Sequence, residues 1–348
     1  MADTTIYRLA LIGFGSAGQG LAKILRDHGE SLARRYGVEM RIVAVCTRTR
    51  GSLYDPDGLD SAALLEAITH DGHLHNLARQ RDWSPLDMIE QADADVLVEL
   101  SPTDLTTGEP ATSHMRAALS RNMHTITANK GPIALHLTEL RHLASNAQLY
   151  LGYEGTVMSG TPALRLGWSD LAGCEVLELR GIVNGTTNYI LTQMESGMSY
   201  ADALAEAQRL GYAEADPTGD VEGYDAAAKA VILANILMDA RLGLGDVERA
   251  GITTLTRDNI EAARDSGERW KLIARVWRDG EQVRASVQPT RLLISHPLAS
   301  AGGATNALTI TTDLLGDVTL IGPGAGGAAT GFAIIPDILA LHMLWGRQ

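Results

Sequence analysis

The chain has little of what several protein classes require. Two cysteines in 348 residues, Cys46 and Cys174, are too few for a disulfide framework or a cysteine metal site. Both are expected to be thiols in a reducing compartment. Positive charge is also scarce. The formal net charge is −13, whereas binding nucleic-acid phosphates needs a basic face. The same deficit argues against an anionic membrane surface. A small anionic nucleotide needs only a few local cations and is not excluded. No uninterrupted apolar run reads as long enough to span a bilayer. The opening residues, Met1-Ala2-Asp3-Thr4-Thr5, lack the basic and apolar regions of a signal peptide. No repeat, low-complexity segment or long linker interrupts the chain. No histidine cluster points to a transition metal, and His70, His73 and His75 lie in a polar stretch where solvation is expected. A cytoplasmic protein with neither nucleic acid nor membrane as partner is the expectation.

What is present suits a globular protein: 45% apolar and 20% charged residues. The length suggests roughly two domains. Residues 1–150 alternate short apolar runs with helical patterns. Strands are predicted at 7–12, 41–46, 95–100, 124–127 and 147–151, with helices from 21 and over 113–121 and 135–146. Such alternation implies a parallel sheet with helices on both faces. Beyond residue 152 the pattern changes. A glycine-rich stretch, 152–161, leads into a helix. Strands are predicted at 176–183, 269–277, 283–287 and 308–312, and helices at 187–194, 200–210 and 225–240. This reads as a mostly antiparallel sheet with helices on one face. The tail, 322–344, reads as a glycine loop and an apolar helix. The predicted division is 1–150, 151–320 and a tail, 321–348, that returns to the first domain. An extensive domain interface carrying a ligand cleft is expected.

Gly13-Phe14-Gly15-Ser16-Ala17-Gly18 fits the GxGxxG pattern between a strand and a helix, the context that makes this otherwise weak motif informative. Gly13 allows the tight turn, Gly15 lets the backbone approach a pyrophosphate, and Gly18 lets helix and strand pack closely. Amides at the helix N-terminus then face the phosphates. A bare glycine turn is the bland alternative. The fold class implied is α/β, with an N-terminal Rossmann dinucleotide-binding domain and a second α+β domain for substrate and dimerisation. At the end of the second strand stands Cys46-Thr47-Arg48-Thr49-Arg50, without the acid that holds the ribose hydroxyls of NAD. Arg48 and Arg50 suit a 2′-phosphate and favour NADP, with NAD as the alternative. Solvated surface arginines would look the same. Thr103 follows the third long strand, where Rossmann ligands sit.

Three further segments carry a resemblance. They are Thr127-Ala128-Asn129-Lys130, the run Gly181-Ile182-Val183-Asn184-Gly185-Thr186-Thr187-Asn188-Tyr189-Ile190, and Gly211-Tyr212-Ala213-Glu214-Ala215-Asp216-Pro217 followed by Asp220, Gly223, Asp225 and Lys229. In this order they resemble the motifs of homoserine dehydrogenases, with a weaker echo at 322–330. The resemblance implies NAD(P)-dependent interconversion of homoserine and aspartate 4-semialdehyde, in threonine, methionine and isoleucine biosynthesis. It implies a homodimer. With no length left over, neither a fused aspartate kinase nor a C-terminal regulatory domain is expected.

Asp225 and Lys229 are spaced i, i+4 on a helix whose other residues are apolar nearly all round. Such a pair is usually a surface ion pair of little energetic value. On a buried helix it needs partners, and a substrate is one. The resemblance makes Lys229 the proton donor or acceptor. As an ammonium it can donate to the developing alkoxide and stabilise its charge. Lys130 is the candidate for a second cation nearby. The resemblance also assigns Glu214 and Asp225 to the substrate ammonium, Asp220 to orienting lysine or water, and Thr186 to the substrate. Gly211, Gly326 and Lys130 fall to the nucleotide. Without it, Glu214 reads as a solvated loop acid and Asn184-Gly185 as a hairpin turn. A monovalent cation such as sodium is implied at Glu154 and the carbonyls of Val157, Ser159 and Thr161, oxygen donors that suit a hard ion. Two departures stand out: the arginines at 48 and 50, and Gly219 in place of an acid. The rival readings are another NADP-dependent amino-acid or oxo-acid oxidoreductase and a non-catalytic cofactor sensor on the same fold.

Overall fold

The computed structural model describes residues 4–345. The chain divides into two compact units: Met1–Gly160 with Gly326–Gln348, and Thr161–Ala325. The first cut lies ten residues beyond the boundary read from sequence, because the glycine-rich stretch after 150 packs with the first unit.

In the first unit the elements run β1 (Thr5–Ile12), α1 (Ser16–Tyr36), β2 (Val38–Cys46), β3 (Ser52–Tyr54), α2 (Ser61–Asp71), α3 (Pro85–Gln91), β4 (Val96–Glu99), α4 (Ala111–Ser120), β5 (His124–Thr127), α5 (Lys130–Asn146) and β6 (Leu151–Gly152). The sheet order is β3-β2-β1-β4-β5-β6. All neighbours are parallel except β3, a short antiparallel edge strand on β2. Successive strand residues bury on opposite faces. Leu9, Leu11, Val96 and Val98 join one apolar cluster, and Ala10, Ile12 and Leu97 join the other. A sheet covered on both sides therefore reads as unbroken apolar runs rather than as alternation. Each Val, Leu or Ile among them contributes roughly 1.5–3 kcal/mol by leaving water.

The predicted strand at 147–151 shrinks to two residues, since the turn after α5 occupies 147–148. The helix expected from 135 begins at Lys130, where Asn129 caps it by accepting from the Gly131 amide.

The second unit contains α6 (Ala163–Arg165), β7 (Val176–Ile182), α7 (Gly185–Glu195), α8 (Tyr200–Arg209), α9 (Thr218–Val221), α10 (Tyr224–Leu237), β8 (Val247–Arg249), α11 (Arg257–Asp265), β9 (Glu268–Asp279), β10 (Gln282–Leu293), β11 (Thr305–Thr312) and β12 (Gly316–Pro323). Its sheet, β12-β11-β7-β9-β10-β8, is antiparallel apart from the β8–β10 pair. The tight β9–β10 hairpin turns at Gly280 with φ 63°. Residues 316–323, of which only 321–323 were read as part of a tail, form β12.

The chain re-enters the first unit with α12 (Gly327–Trp345). This helix corrects the expectation on apolar runs. Its 18 residues Gly327–Leu344 have a mean hydropathy of 1.5 and are long and apolar enough to cross a membrane by length and composition. In this fold it packs on α1 through glycines. A Cβ on Gly20 would lie 1.9 Å from the Gly327 carbonyl oxygen, and one on Gly331 would lie 2.3 Å from the Leu21 nitrogen.

Candidate functional site

The first unit offers an anion cradle at the β1–α1 turn. Gly13 has φ +95°, and a Cβ there would meet the Leu100 carbonyl oxygen at 2.4 Å. A Cβ on Gly18 would approach the Gly13 carbonyl oxygen to 2.8 Å. Nothing lies within 4 Å of the Cβ position of Gly15, so the backbone is open there. The first turn of α1 has neither a side-chain cap nor an acidic residue, which leaves its amides and dipole free to meet phosphate oxygens. Gly15 and Ser16 are exposed and Ala17 is half-buried. The Phe14 ring is 2% exposed and belongs to the core, so only its backbone is available. These residues fit a dinucleotide on shape and charge alike.

Around that turn the sheet's carboxyl edge gathers other predicted residues. The Gly13 amide donates to the Cys46 carbonyl at 2.9 Å, joining the turn to the end of β2. Arg50 reaches the Phe14 carbonyl at 3.5 Å, while Arg48 is exposed. Asn129 Nδ2 donates to the carbonyls of Ser101 and Pro102 at 3.0 and 3.3 Å. This ties the loop carrying exposed Thr103 to the helix that begins with half-buried Lys130. Gly326 has φ +116° just before α12. His70 and His75 are exposed and His73 is half-buried. The rings of His73 and His75 lie 5.0 Å apart, and a Cβ on Gly51 would be 3.0 Å from His75 Nδ1.

The second unit holds a buried ionic cluster. Along α10 every residue from Ala226 to Ala234 is buried, Lys229 included. Lys229 is 8% exposed. Its Nζ donates to Asp225 Oδ2 and to the Val183 carbonyl, both at 2.7 Å. The i, i+4 spacing thus becomes a desolvated pair rather than a surface one. Asn184 links it to the rest. Its Nδ2 donates to Asp220 Oδ1 at 2.6 Å and Asp225 Oδ2 at 2.9 Å. Its Oδ1 caps α7 by accepting from the Thr187 amide at 2.8 Å and the Thr187 hydroxyl at 2.9 Å. Asn184-Gly185 is therefore a helix start, not a hairpin turn. A Cβ on Gly185 would lie 2.7 Å from the Ala304 carbonyl oxygen, which accounts for the glycine.

Burial, and next the charge of Asp225, raise the Asp220 carboxyl above the ordinary aspartate range. A hydrogen bond from Asn184, the Lys229 ammonium and the nearby Thr186 hydroxyl oppose that rise. The Thr186 hydroxyl directs its proton to the Tyr212 carbonyl at 2.6 Å, fastening the Gly211–Pro217 loop to α7. Glu214 in that loop is exposed, and its backbone carbonyl accepts from Gln208 Nε2 at 3.0 Å. Gly211 is exposed with φ +76°. The structure thus joins Lys229 to Asp225 directly and Asp220 to Asp225 through Asn184, with Thr186 alongside. The Glu214 carboxylate is left outside that cluster. Sequence reasoning missed Asn184 as its hub, although an Asn preceding a helical pattern is a capping signal.

Glu154, Val157 and Ser159 are buried in the first unit. Met158 and Ser159 both have φ +55°, a strained pair for residues other than glycine. Ser159 Oγ lies 2.8 Å from Thr330 Oγ1. Thr161 opens the second unit, and its carbonyl already accepts from the Ala163 amide at 2.7 Å.

Comparison with known proteins gives the family. Residues 162–339 match the family model described as homoserine dehydrogenase, and residues 13–154 match its NAD-binding domain. The chain is 45% identical over 346 residues to an NAD(+)-dependent homoserine dehydrogenase of Pseudomonas canavaninivorans, covering 99% of this chain and 98% of that one. It is 39% identical to a homoserine dehydrogenase of Methanocaldococcus jannaschii over 96% of this chain and 98% of the relative. Among solved structures, a putative homoserine dehydrogenase from Archaeoglobus fulgidus superposes with a TM-score of 0.86 at 36% identity, over 96% of this chain and 99% of that one. A hyperthermophilic archaeal homoserine dehydrogenase in complex with NADPH gives 0.83 at 29% identity, over 98% and 99%.

Proposed function

Since the chain belongs to the homoserine dehydrogenase family and is an NAD(P)-dependent oxidoreductase, we propose which of its residues perform the reaction. Lys229 donates a proton to the substrate oxygen as the aldehyde is reduced and takes it back in the reverse direction. The bound nicotinamide supplies or accepts the hydride. Asp225 holds the lysine ammonium and, with Glu214, receives the substrate ammonium. Asn184 fixes Asp225 and Asp220 by donating to both, Asp220 orients lysine or water, and Thr186 anchors the loop that carries Glu214. The observation that carries this reading is the cluster of buried Lys229 and Asn184 with half-buried Asp225 and Asp220 at the start of the largely apolar helix α10. A desolvated ion pair is a weak source of stability, and a charged substrate gives it a use. Lys130, at the start of α5, supplies the second cation.

For the dinucleotide we assign the pyrophosphate to residues 13–18, with Gly326 and Gly211 as further backbone contacts and Thr103 near the nicotinamide end. Arg48 and Arg50 favour NADP over NAD. The name of the Pseudomonas relative supports NAD instead. Spectrophotometric assays with homoserine and each cofactor decide both points. NADP reduction at the lower KM is expected, and no turnover with either cofactor refutes the assignment.

The same reading extends to surroundings. A homodimer is supported by family membership and by apolar side chains left exposed on the second sheet, Leu177 and Ile321 among them. Sedimentation velocity tests it. A monovalent cation such as sodium at Glu154, Val157, Ser159 and Thr161 is supported by burial of the Glu154 carboxylate and the strained backbone at Met158 and Ser159. Dependence of the melting temperature on sodium tests it. A cytoplasmic role in threonine, methionine and isoleucine biosynthesis is tested by rescue of a homoserine auxotroph.

A further inference from the structure

Two histidines unused by the chemistry above, His73 and His75, lie in a segment that folds onto the end of β2. Loop 47–51 is closed tightly. The Thr47 amide and hydroxyl both donate to the Gly51 carbonyl, at 3.1 and 2.9 Å, and the Arg50 amide donates to Thr47 Oγ1 at 2.8 Å. The segment after α2 folds back onto this loop. The amide of buried Leu74 donates to the Arg50 carbonyl at 2.7 Å. Gln80 Nε2 fastens the segment in turn, donating to the carbonyls of Leu74 and Leu77 at 2.5 and 3.1 Å.

This return brings two imidazoles against the arginine loop. A Cβ on Gly51 would meet His75 Nδ1 at 3.0 Å and Cε1 at 3.3 Å. The Nδ1–Cε1 edge of the ring therefore rests on Gly51, and Nε2 stays clear of that contact. His73 Nδ1 accepts from the His75 amide at 3.3 Å, and its ring lies beside the His75 ring. Neither Arg48 nor Arg50 pairs with a carboxylate among the described residues. Asp55 and Asp71, the acids nearest on the neighbouring segments, accept from Arg79 and Asn76. In a chain of net charge −13, the exposed Arg48 and His75 and the half-buried Arg50 and His73 belong to one loop and the segment folded onto it.

We propose that His75, alongside Arg48 and Arg50, recognises the 2′-phosphate of the adenosine ribose, with His73 as the positioning residue that holds the His75 ring. In a dinucleotide-binding sheet the end of the second strand faces that ribose. Guanidinium groups and an imidazole N–H supply the charge-assisted donors that phosphate oxygens need. A ribose with free hydroxyls offers these groups no charge. The inference rests on the NADP reading above and adds a residue outside the sequence motif.

The test is binding of adenosine 2′,5′-bisphosphate and of AMP by calorimetry, for the parent protein, His75→Ala, His75→Arg and Arg48→Ser/Arg50→Ser. Loss of one charge-assisted contact predicts a roughly tenfold weaker bisphosphate affinity for His75→Ala. AMP affinity stays within about twofold, and His75→Arg restores the bisphosphate. Equal losses for both nucleotides overturn the proposal, because His75 would then only pack on Gly51. So does an unchanged His75→Ala when the double arginine variant still loses bisphosphate, an outcome that leaves the NADP reading intact. A parent protein that binds both nucleotides equally overturns the two together.

Discussion

Asn184→Ala should damage stability and catalysis separately. The side chain caps α7 through Oδ1 and bridges two carboxylates through Nδ2. Loss of an Asn cap costs about 1 kcal/mol. Hydrogen bonds to charged groups contribute ~1.5–3 kcal/mol each, and partial exposure of the two aspartates argues for the low end or below. The sum is about 3 kcal/mol. For a unit of this size each kcal/mol moves the melting temperature by ~2–4 °C, so a fall of about 6–12 °C is expected. Asn184→Asp separates the two roles. Its carboxylate still caps the helix but faces Asp220 and Asp225 with a third negative charge. The melting temperature should recover in part, while kcat stays low because the Lys229–Asp225 pair is disturbed. Calorimetric melting and steady-state homoserine oxidation measure the two effects. If Asn184→Ala melts only about 2–4 °C lower, the value for a cap alone, and turns over at the parental rate, the bridging role is wrong.

Three further outcomes follow from the same geometry. Lys229→Met should lower kcat by ~10²–10⁴, the usual worth of a positioned proton donor, with NADPH affinity unchanged by fluorescence titration; a near-parental rate removes Lys229 from the mechanism. Asp220→Asn should stabilise progressively as pH rises. The carboxyl pKa is raised in the folded state, mainly by burial, so ionising it costs stability that is absent at low pH and complete above that raised value. A stability difference that shrinks with pH contradicts the assignment. Lys271 is fully buried, with Nζ donating to Asn188 Oδ1 at 3.1 Å and to the Ala301 carbonyl at 3.0 Å, and with Glu195 at 3.8 Å. Lys271→Ala should cost about 3 kcal/mol in chemical denaturation by stranding these partners, and Lys271→Met less. A neutral alanine variant would show that the buried network contributes nothing.

The first unit was legible because its signals are local. The apolar runs of β1, β2, β4 and β5 are bounded by turns, and the 13–18 glycines sit where a strand must give way to a helix. Elements with weaker local signals were missed. Helix α11 is short and buries only Ile260 and Ala263, so its apolar face is too narrow to stand out in a charged stretch. Edge strands β3 and β8 are three residues long, too short for alternation to register. Strand β12 sets exposed against half-buried residues beside β11 without a fully buried one, and the glycine and proline at its end, 322–323, read as the start of a loop.

The ionic cluster lies at the limit of what sequence can reveal. Lys229 and Asp225 could be paired from helical spacing alone, and burial of their helix followed from its alanines. Asn184 could not be joined to them that way. It stands 36 residues before Asp220 and 41 before Asp225, and only the packing of α7, α9 and α10 brings the three together. Asn-Gly suits a hairpin and a helix start equally well, and the choice turns on what the amide finds to bind. Two aspartates and a lysine packed without Asn184 would leave two carboxylates facing each other over one ammonium. A residue able to donate to both carboxylates while its other end is held by the helix resolves that conflict. Asparagine does so without adding charge, and for that reason the aspartate substitution separates the cap from the bridge.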